Sequence, residues 1–313
     1  MKIGLVFNGG GGKGAYQVGV MKALYELNIH HYVQAIAGTS VGALNAALFL
    51  NNSIETAEKV WQTISPDKIL TLKGTEQAKK LMNLGVNSSS PLIARLLKAE
   101  GYGVFSRSGL LEIIYENINL QKISDKKIPF YATCVKWPTM EKTYFKVNGL
   151  APLKIEKILL ATSAIPGVFP SVEIDGVQYV DGGLSDNSPI QPVYDEGCDF
   201  IFVISLNRDD TIEQQFPNAK VIQLVPKEAQ GGFVSGTLDF KATTAQRRMV
   251  EGYNDTMEII APTIRTMKRE ANLFNLMEKF SEEEKMFQLN QKQQTDQFNK
   301  DMSDLFAQLE KGK

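Results

Sequence analysis

Apolar positions along this chain change their spacing in a way that marks alternating strands and helices. Residues 2–7 (KIGLVF) form a short continuous apolar run that predicts a strand, and glycines follow it at once. Residues 15–27 then carry Val18, Met21, Leu24 and Leu27 at helical spacing. Residues 33–37 are again short, apolar and partly β-branched, and residues 41–50 are helical in pattern. Strand, turn and helix, repeated twice in the first fifty residues, predict a parallel sheet with helices packed on it.

The pattern continues with a helix over 54–64, strands over 130–135 and 143–147, and a helix over 153–161. Residues 172–174 and 178–180 flank Asp175-Gly176, which predicts a hairpin turn. Residues 200–205 and 221–225 are apolar enough for buried strands. Two stretches read as long connections or covers over a site: residues 84–102, with Leu92, Ile93, Leu96 and Leu97, and the glycine-rich 228–240, with Phe233 and Leu238. From Thr263 onward Gln, Lys and Glu dominate. Phe298, Met302, Leu305, Phe306 and Leu309 recur at spacings of three and four, as on an amphipathic helix. The expected division is a domain over 1–262 and a helical extension over 263–313.

Composition narrows the function classes. With 34 basic and 35 acidic residues the chain has a formal net charge of −1, so no global field draws it to nucleic acid, and no nucleic-acid partner is expected. The polar face of the tail mixes both signs, unlike a basic membrane-surface helix; packing on the domain or on a second copy of the chain suits it better. The first apolar run is too short for a signal-peptide core. The stretch 35–50 is interrupted by Gly38, Thr39, Ser40, Gly42 and Asn45, so it does not read as a membrane span. Cys134 and Cys198 make neither a disulfide framework nor a zinc spacing, and no metal is expected. A cytoplasmic protein, with room for peripheral membrane contact, is the expectation.

The chemistry concentrates at three places. Gly38-Thr39-Ser40-Val41-Gly42 is a G-x-S-x-G between a predicted strand and a predicted helix, a turn that lifts a serine hydroxyl above a sheet. A hydroxyl needs a base, and the only histidines, His30 and His31, sit side by side at a helix end upstream of it. A carboxylate is therefore the expected base, ionised at neutral pH with an ordinary pKa of about 4. Asp181, in Tyr179-Val180-Asp181-Gly182-Gly183, ends a short strand and has two glycines after it; Asp175 belongs to the hairpin turn, and Asp186 and Asp195 lie in polar, solvent-facing contexts. The third place is Gly9-Gly10-Gly11-Gly12-Lys13-Gly14. It contains a G-x-G-x-x-G, but the second strand ends in Ala35-Ile36-Ala37-Gly38, without the acidic residue that a dinucleotide site needs, and Lys13 is followed by Gly14 rather than the Ser or Thr of a P-loop. Glycine amides at a helix start suit an oxyanion instead.

Taken in order, these motifs resemble the patatin-like phospholipases. The glycine run at 9–14, the elbow at 38–42, the segment Ala161-Thr162-Ser163-Ala164-Ile165-Pro166-Gly167-Val168-Phe169-Pro170 and the Asp-Gly-Gly at 181–183 carry the resemblance, together with Asn187-Ser188-Pro189. It covers the first two thirds of the chain. The resemblance implies an α/β fold, a three-layer α/β/α sandwich with a mainly parallel sheet, and a Ser40–Asp181 dyad. It also implies oxyanion donors at Gly10, Gly11 and Gly12, and acyl-ester hydrolysis on lipids at a membrane or micelle surface without cofactor. Lys13 takes the family's basic position, near a lipid phosphate or as a solvated residue at the helix start. The rival reading is an interaction protein on the same fold that assembles through its helical tail.

Overall fold

In this computed structural model, residues 2–51, 53–70, 105–212 and 216–311 are described, with backbone alone at 299, 301 and 303–311. The predicted cover at 84–102 lies outside the described residues. The chain divides into two compact units, Met1–Glu258 and Ile259–Lys313.

Among the described residues, the first unit is built on a sheet of eight strands: β1 (Ile3–Phe7), β2 (Val33–Thr39), β3 (Phe130–Trp137), β4 (Lys142–Lys146), β5 (Val172–Ile174), β6 (Val177–Asp181), β7 (Phe200–Ile204) and β8 (Lys220–Leu224). Strands β3, β2, β1, β7 and β8 lie side by side in parallel, whereas β4, β5 and β6 join antiparallel at the β3 end. Every residue of β1 is buried, as expected of a central parallel strand covered on both faces. Between β5 and β6, Asp175 and Gly176 both have positive φ, 52° and 78°, the geometry of the two-residue turn that Asp-Gly favours.

Helices cover both faces. On one, Val6, Ala35, Ala37, Ile201 and Val203 pack with Ile190 and Val193 of a short helix, Ile190–Asp195, and with Phe216. On the other, Phe7 meets Phe49 of α2 (Val41–Leu50) with ring centroids 6.3 Å apart, and Tyr25 of α1 (Ala15–Glu26) meets the same ring edge-on. The α/β/α sandwich of the sequence reading is thus the fold. Helix α2 is apolar nearly all round and almost wholly buried. Helix α3 (Ile54–Thr63) shows the other pattern: it is capped by Ser53, whose hydroxyl accepts from the Thr56 amide, and buries only Ala57, Val60 and Trp61.

The last helix, α4 (Ala242–Lys311), begins about twenty residues before the compositional shift at Thr263. Its opening turns belong to the first unit and bury Ala245, Arg248 and Met249. Gly252 and Pro262 hide this stretch from a periodicity reading.

The tightest joint lies between β1 and α2. A Cβ placed on Gly42 would come within 2.1 Å of the Phe7 carbonyl oxygen. Helix propensity alone would make Gly42→Ala favourable by about 1 kcal/mol. The contact reverses the sign, and the variant should lose about 1–3 kcal/mol by urea unfolding. An increase in stability would show that α2 moves away from β1 freely.

Candidate active site

The site is assembled on one edge of β3. Strand β2 runs parallel to its first half, with Thr39 opposite Thr133, and β6 runs antiparallel to its second half, with Asp181 opposite Cys134. Since β4 pairs with Tyr131 through Val135 on the other edge, β2 and β6 share the same edge and run head to head. Consecutive residues of β3 thereby bring the end of β2, and Ser40 after it, to the end of β6.

Ser40 stands between β2 and α2 with φ 56° and ψ −130°, a conformation that a residue with a side chain rarely adopts. Its neighbours hold it there. The Ser40 amide donates to Thr162 Oγ1 at 2.9 Å, and that hydroxyl donates to the Thr133 carbonyl at 2.5 Å. The Ser40 carbonyl starts α2 by accepting from Ala43. Thr39 Oγ1 donates to the Asp186 carbonyl at 2.9 Å. Asp186 is accordingly no solvent-facing bystander: its carboxylate also accepts from Tyr144 Oη and the Ser188 amide.

Asp181 is buried. Its Oδ1 accepts from the Gly183 amide at 2.8 Å, and its own amide donates to the Ala164 carbonyl. Burial pushes the carboxyl up to about 6, opposed by the Ser40 hydroxyl and the Gly183 amide. This corrects the expected value near 4: apolar surroundings, not charge neighbours, set it. Oδ2 is buried and has no hydrogen-bond partner at normal distance and angle among the described residues. The Ser40 hydroxyl is a neighbour that favours the charged carboxylate. Cys134, facing the same strand end, is fully buried, and its thiol is held well above the usual range by burial and by Asp181, which makes it a poor nucleophile.

Gly9, Gly10, Gly11, Lys13, Ser40, Asp181, Gly183 and Asn187 border one cavity of about 300 Å3. Gly12, Gly14, Gly38, Gly42 and Gly182 do not lie on its wall; each sits where two elements approach within a Cβ radius. Asn187 clamps the glycine run, accepting from the Gly9 amide at 3.1 Å and donating to its carbonyl at 3.2 Å. Lys13 is buried rather than solvated. Its Nζ donates to Asn207 Oδ1 at 2.5 Å, and its pKa is lowered by burial and by nearby Arg248, with Asp210 opposing. The carbonyl oxygens of Thr237 and Asp239 lie 2.1 and 2.2 Å from where Cβ atoms on Gly11 and Gly12 would stand, so neither position admits a side chain.

A second, apolar cavity of about 70 Å3 adjoins the first. Leu44, Leu48, Trp61, Ile113 and Phe169 contribute to its wall, and Gly11, Ser40 and Ile165 line both cavities. His30 and His31 line neither; His30 stacks on Tyr25 at 4.1 Å. Among the described residues no cluster of three or more His, Cys, Asp or Glu side chains is placed to hold a metal ion. Sequence reasoning missed Asn207 and Arg248, which are single polar residues in unremarkable local patterns, and it missed the positioning role of Thr162.

With the elbow, the buried aspartate and the glycine run in one place, comparison with known proteins becomes decisive. A model of the patatin-like phospholipases matches residues 5–194, and the chain belongs to that family. It is 27% identical over 218 residues to lysophospholipase NTE1 of Cryptococcus neoformans, covering 69% of this chain and 12% of that protein. It is 26% identical over 212 residues to the mouse patatin-like phospholipase domain-containing protein 7, covering 67% and 14%. The chain thus spans about an eighth of the length of these relatives. Among solved structures, VipD from Legionella pneumophila aligns with a TM-score of 0.48 at 15% identity, covering 82% of this chain and 66% of that one.

Asp181 also carries a stability consequence. Its folded-state pKa of about 6 lies above the ordinary 3.8, so the folded protein holds this proton more tightly than the unfolded chain. That contribution is present below about pH 4 and lost as pH rises through 6. Asp181→Asn should therefore be more stable than the wild type by about 3 kcal/mol at pH 7.5, with the gap closing toward pH 4. Urea midpoints across that range measure it; equal stability at pH 7.5 would mean that the carboxylate is well solvated.

Proposed function

We propose that this chain is a serine hydrolase of lipid acyl esters in which Ser40 is the nucleophile and Asp181 its base. The observation that carries the reading is the junction of the two cavities. Ser40 stands where an apolar space meets a polar one, and a lipid ester has its carbonyl at the same kind of boundary. The acyl chain would enter among Leu44, Leu48 and Trp61. The glycerol and head group would occupy the polar side, beside Lys13 and Asn187. Membership of the patatin-like phospholipases supports lipid as the substrate class.

The chemistry follows from the groups at that junction. Asp181 accepts the Ser40 proton through its unpaired Oδ2 as the hydroxyl oxygen attacks the ester carbonyl. Substrate binding excludes water and aligns the two side chains. Of the three expected donors, Gly10 and Gly11 border the cavity and their amides stabilise the oxyanion, whereas Gly12 lies off its wall. The alcohol leaves with the proton held by Asp181. Water, deprotonated by the same carboxylate, then releases the fatty acid and frees Ser40.

Ser40→Ala and Asp181→Asn should each lower phospholipid or p-nitrophenyl ester hydrolysis by on the order of a thousandfold or more while remaining folded. Because the base must be ionised, kcat/KM of the wild type should rise tenfold per pH unit below about 6 and level off above it. Full turnover in either variant, or an acid limb centred near pH 4, would remove Asp181 from the role.

For the second unit we infer a partner of the same kind: another copy of the chain. Phe274, Met277, Phe280, Phe287 and Phe298 are exposed along this helix, more large apolar surface than a solitary helix keeps in water. The mixed signs of the flanking charges suit pairing of like helices. Light scattering should give a dimer or higher species for the wild type and a monomer for the double variant Phe280→Glu, Phe287→Glu. A monomeric wild type at tens of micromolar would end this assignment.

A further inference from the structure

Next to the glycine run lies a segment, residues 228–240, whose main-chain carbonyls make its tightest contacts with that run. Thr237 borders the polar cavity, and the Thr237 and Asp239 carbonyls lie directly against Gly11 and Gly12. A Cβ on Gly236 would in turn lie 2.6 Å from Lys13 Cε. Three carbonyls of the segment, those of Gln230, Ser235 and Asp239, share one donor.

That donor is Arg248, in the opening turns of α4, whose side chain is 1% exposed. Its Nη1 donates to the Gly12 carbonyl at 3.0 Å and to the Asp239 carbonyl at 3.1 Å. Its Nη2 donates to the Gln230 carbonyl at 3.0 Å and to the Ser235 carbonyl at 3.5 Å, and it lies 3.7 Å from Asp239 Oδ2. A single planar guanidinium thus ties the glycine run to both ends of the 228–240 segment. Lysine cannot repeat this, since an ammonium has three donors on one atom and no fork. Gly11 itself has φ 55°, so the run is held in a left-handed turn at the point where the segment presses on it.

We propose that Arg248 is a positioning residue for the oxyanion amides: it fixes the glycine run by clamping it to the 228–240 segment, which acts as a permanent wall of the site rather than a mobile cover. The inference rests on the hydrolase reading for its catalytic consequence, but not for the clamp itself. Substrate does not touch Arg248. Its effect passes through the Gly12 carbonyl to the direction of the neighbouring amides. Misdirected amides weaken binding of the charged intermediate more than binding of the neutral ester, so the loss belongs in kcat rather than KM.

The test uses the full chain with Arg248→Lys and Arg248→Ala, assayed on a p-nitrophenyl ester and by hydrogen–deuterium exchange of peptides spanning 8–14, 228–240 and 130–137. In a variant that melts above the assay temperature, kcat should fall about a hundredfold, with KM within about threefold of wild type. Exchange should accelerate in 8–14 and 228–240 and stay unchanged in 130–137. An unaltered kcat, a loss confined to KM, or unchanged exchange in 8–14 overturns the proposal. So does failure of both variants to fold, which would make the arginine a general structural element. A wild type without esterase activity would sink the hydrolase reading instead, and the exchange pattern would still decide the clamp.

Discussion

Strand β3 carries the constraint on which the site depends. It offers Thr133 to one strand end and Cys134 to another, so a serine and an aspartate 141 positions apart in the chain become neighbours across two residues of a third strand. Sheet hydrogen bonds are directional and their spacing is rigid, so this register places the two groups more firmly than any loop could. The cost falls on the aspartate. It sits in surroundings that disfavour its charge, and its pKa of about 6 expresses that disfavour. Such a carboxylate is still ionised at neutral pH, and it is a stronger base than one in water.

Around this pair, strain and unsatisfied polarity are confined to a few atoms and compensated nearby. The left-handed Ser40 is held by a relay from its amide through Thr162 to the Thr133 carbonyl. Behind the elbow, Asn45 of α2 donates to the Gly14 carbonyl and to Gln17, and accepts from Trp61 Nε1. Gln17 continues to the Asn8 carbonyl. These contacts lock the starts of α1 and α2 to each other, and those two helix starts hold the glycine run and the serine. A buried network of this kind adds rigidity because each member is satisfied only in one arrangement. Asp181 Oδ2 stands apart from it as a buried acceptor without a hydrogen-bond partner among the described residues, as the base proposed for Ser40 would.

The two cavities give the geometry its chemical direction. An apolar wall built from α2, α3 and the segment after residue 162 stops at Ser40, and a polar wall of glycines, Asn187 and Asn207 begins there. On the proposed reading, one hydroxyl at such a boundary would favour amphiphilic esters over soluble ones, because the apolar part of the ligand gains from burial only on one side. The family match ends at residue 194, yet the polar wall takes in Asn207 and Thr237, and Arg248 holds it from α4. The cavity beside Ser40 therefore extends beyond the segment matched to the family.

What could be read without coordinates was whatever leaves a local mark. The strand–turn–helix repeats, the Asp-Gly hairpin, the elbow at Ser40 and the glycine run each depend on spacing or on backbone preferences of adjacent residues, and each is written in a short window. Asp181 was legible through its two following glycines and the lack of a histidine in a suitable place. Tertiary structure alone decided the rest. It set the carboxyl near 6 rather than 4, because burial depends on which segments close over it. It turned Lys13 and Asp186 inward, since their partners, Asn207 and Thr39, lie far away in sequence. It also placed Arg248 against four carbonyls whose positions no local pattern encodes. Conformational preference acts over a few residues, whereas desolvation and hydrogen-bond satisfaction are properties of the assembled neighbourhood.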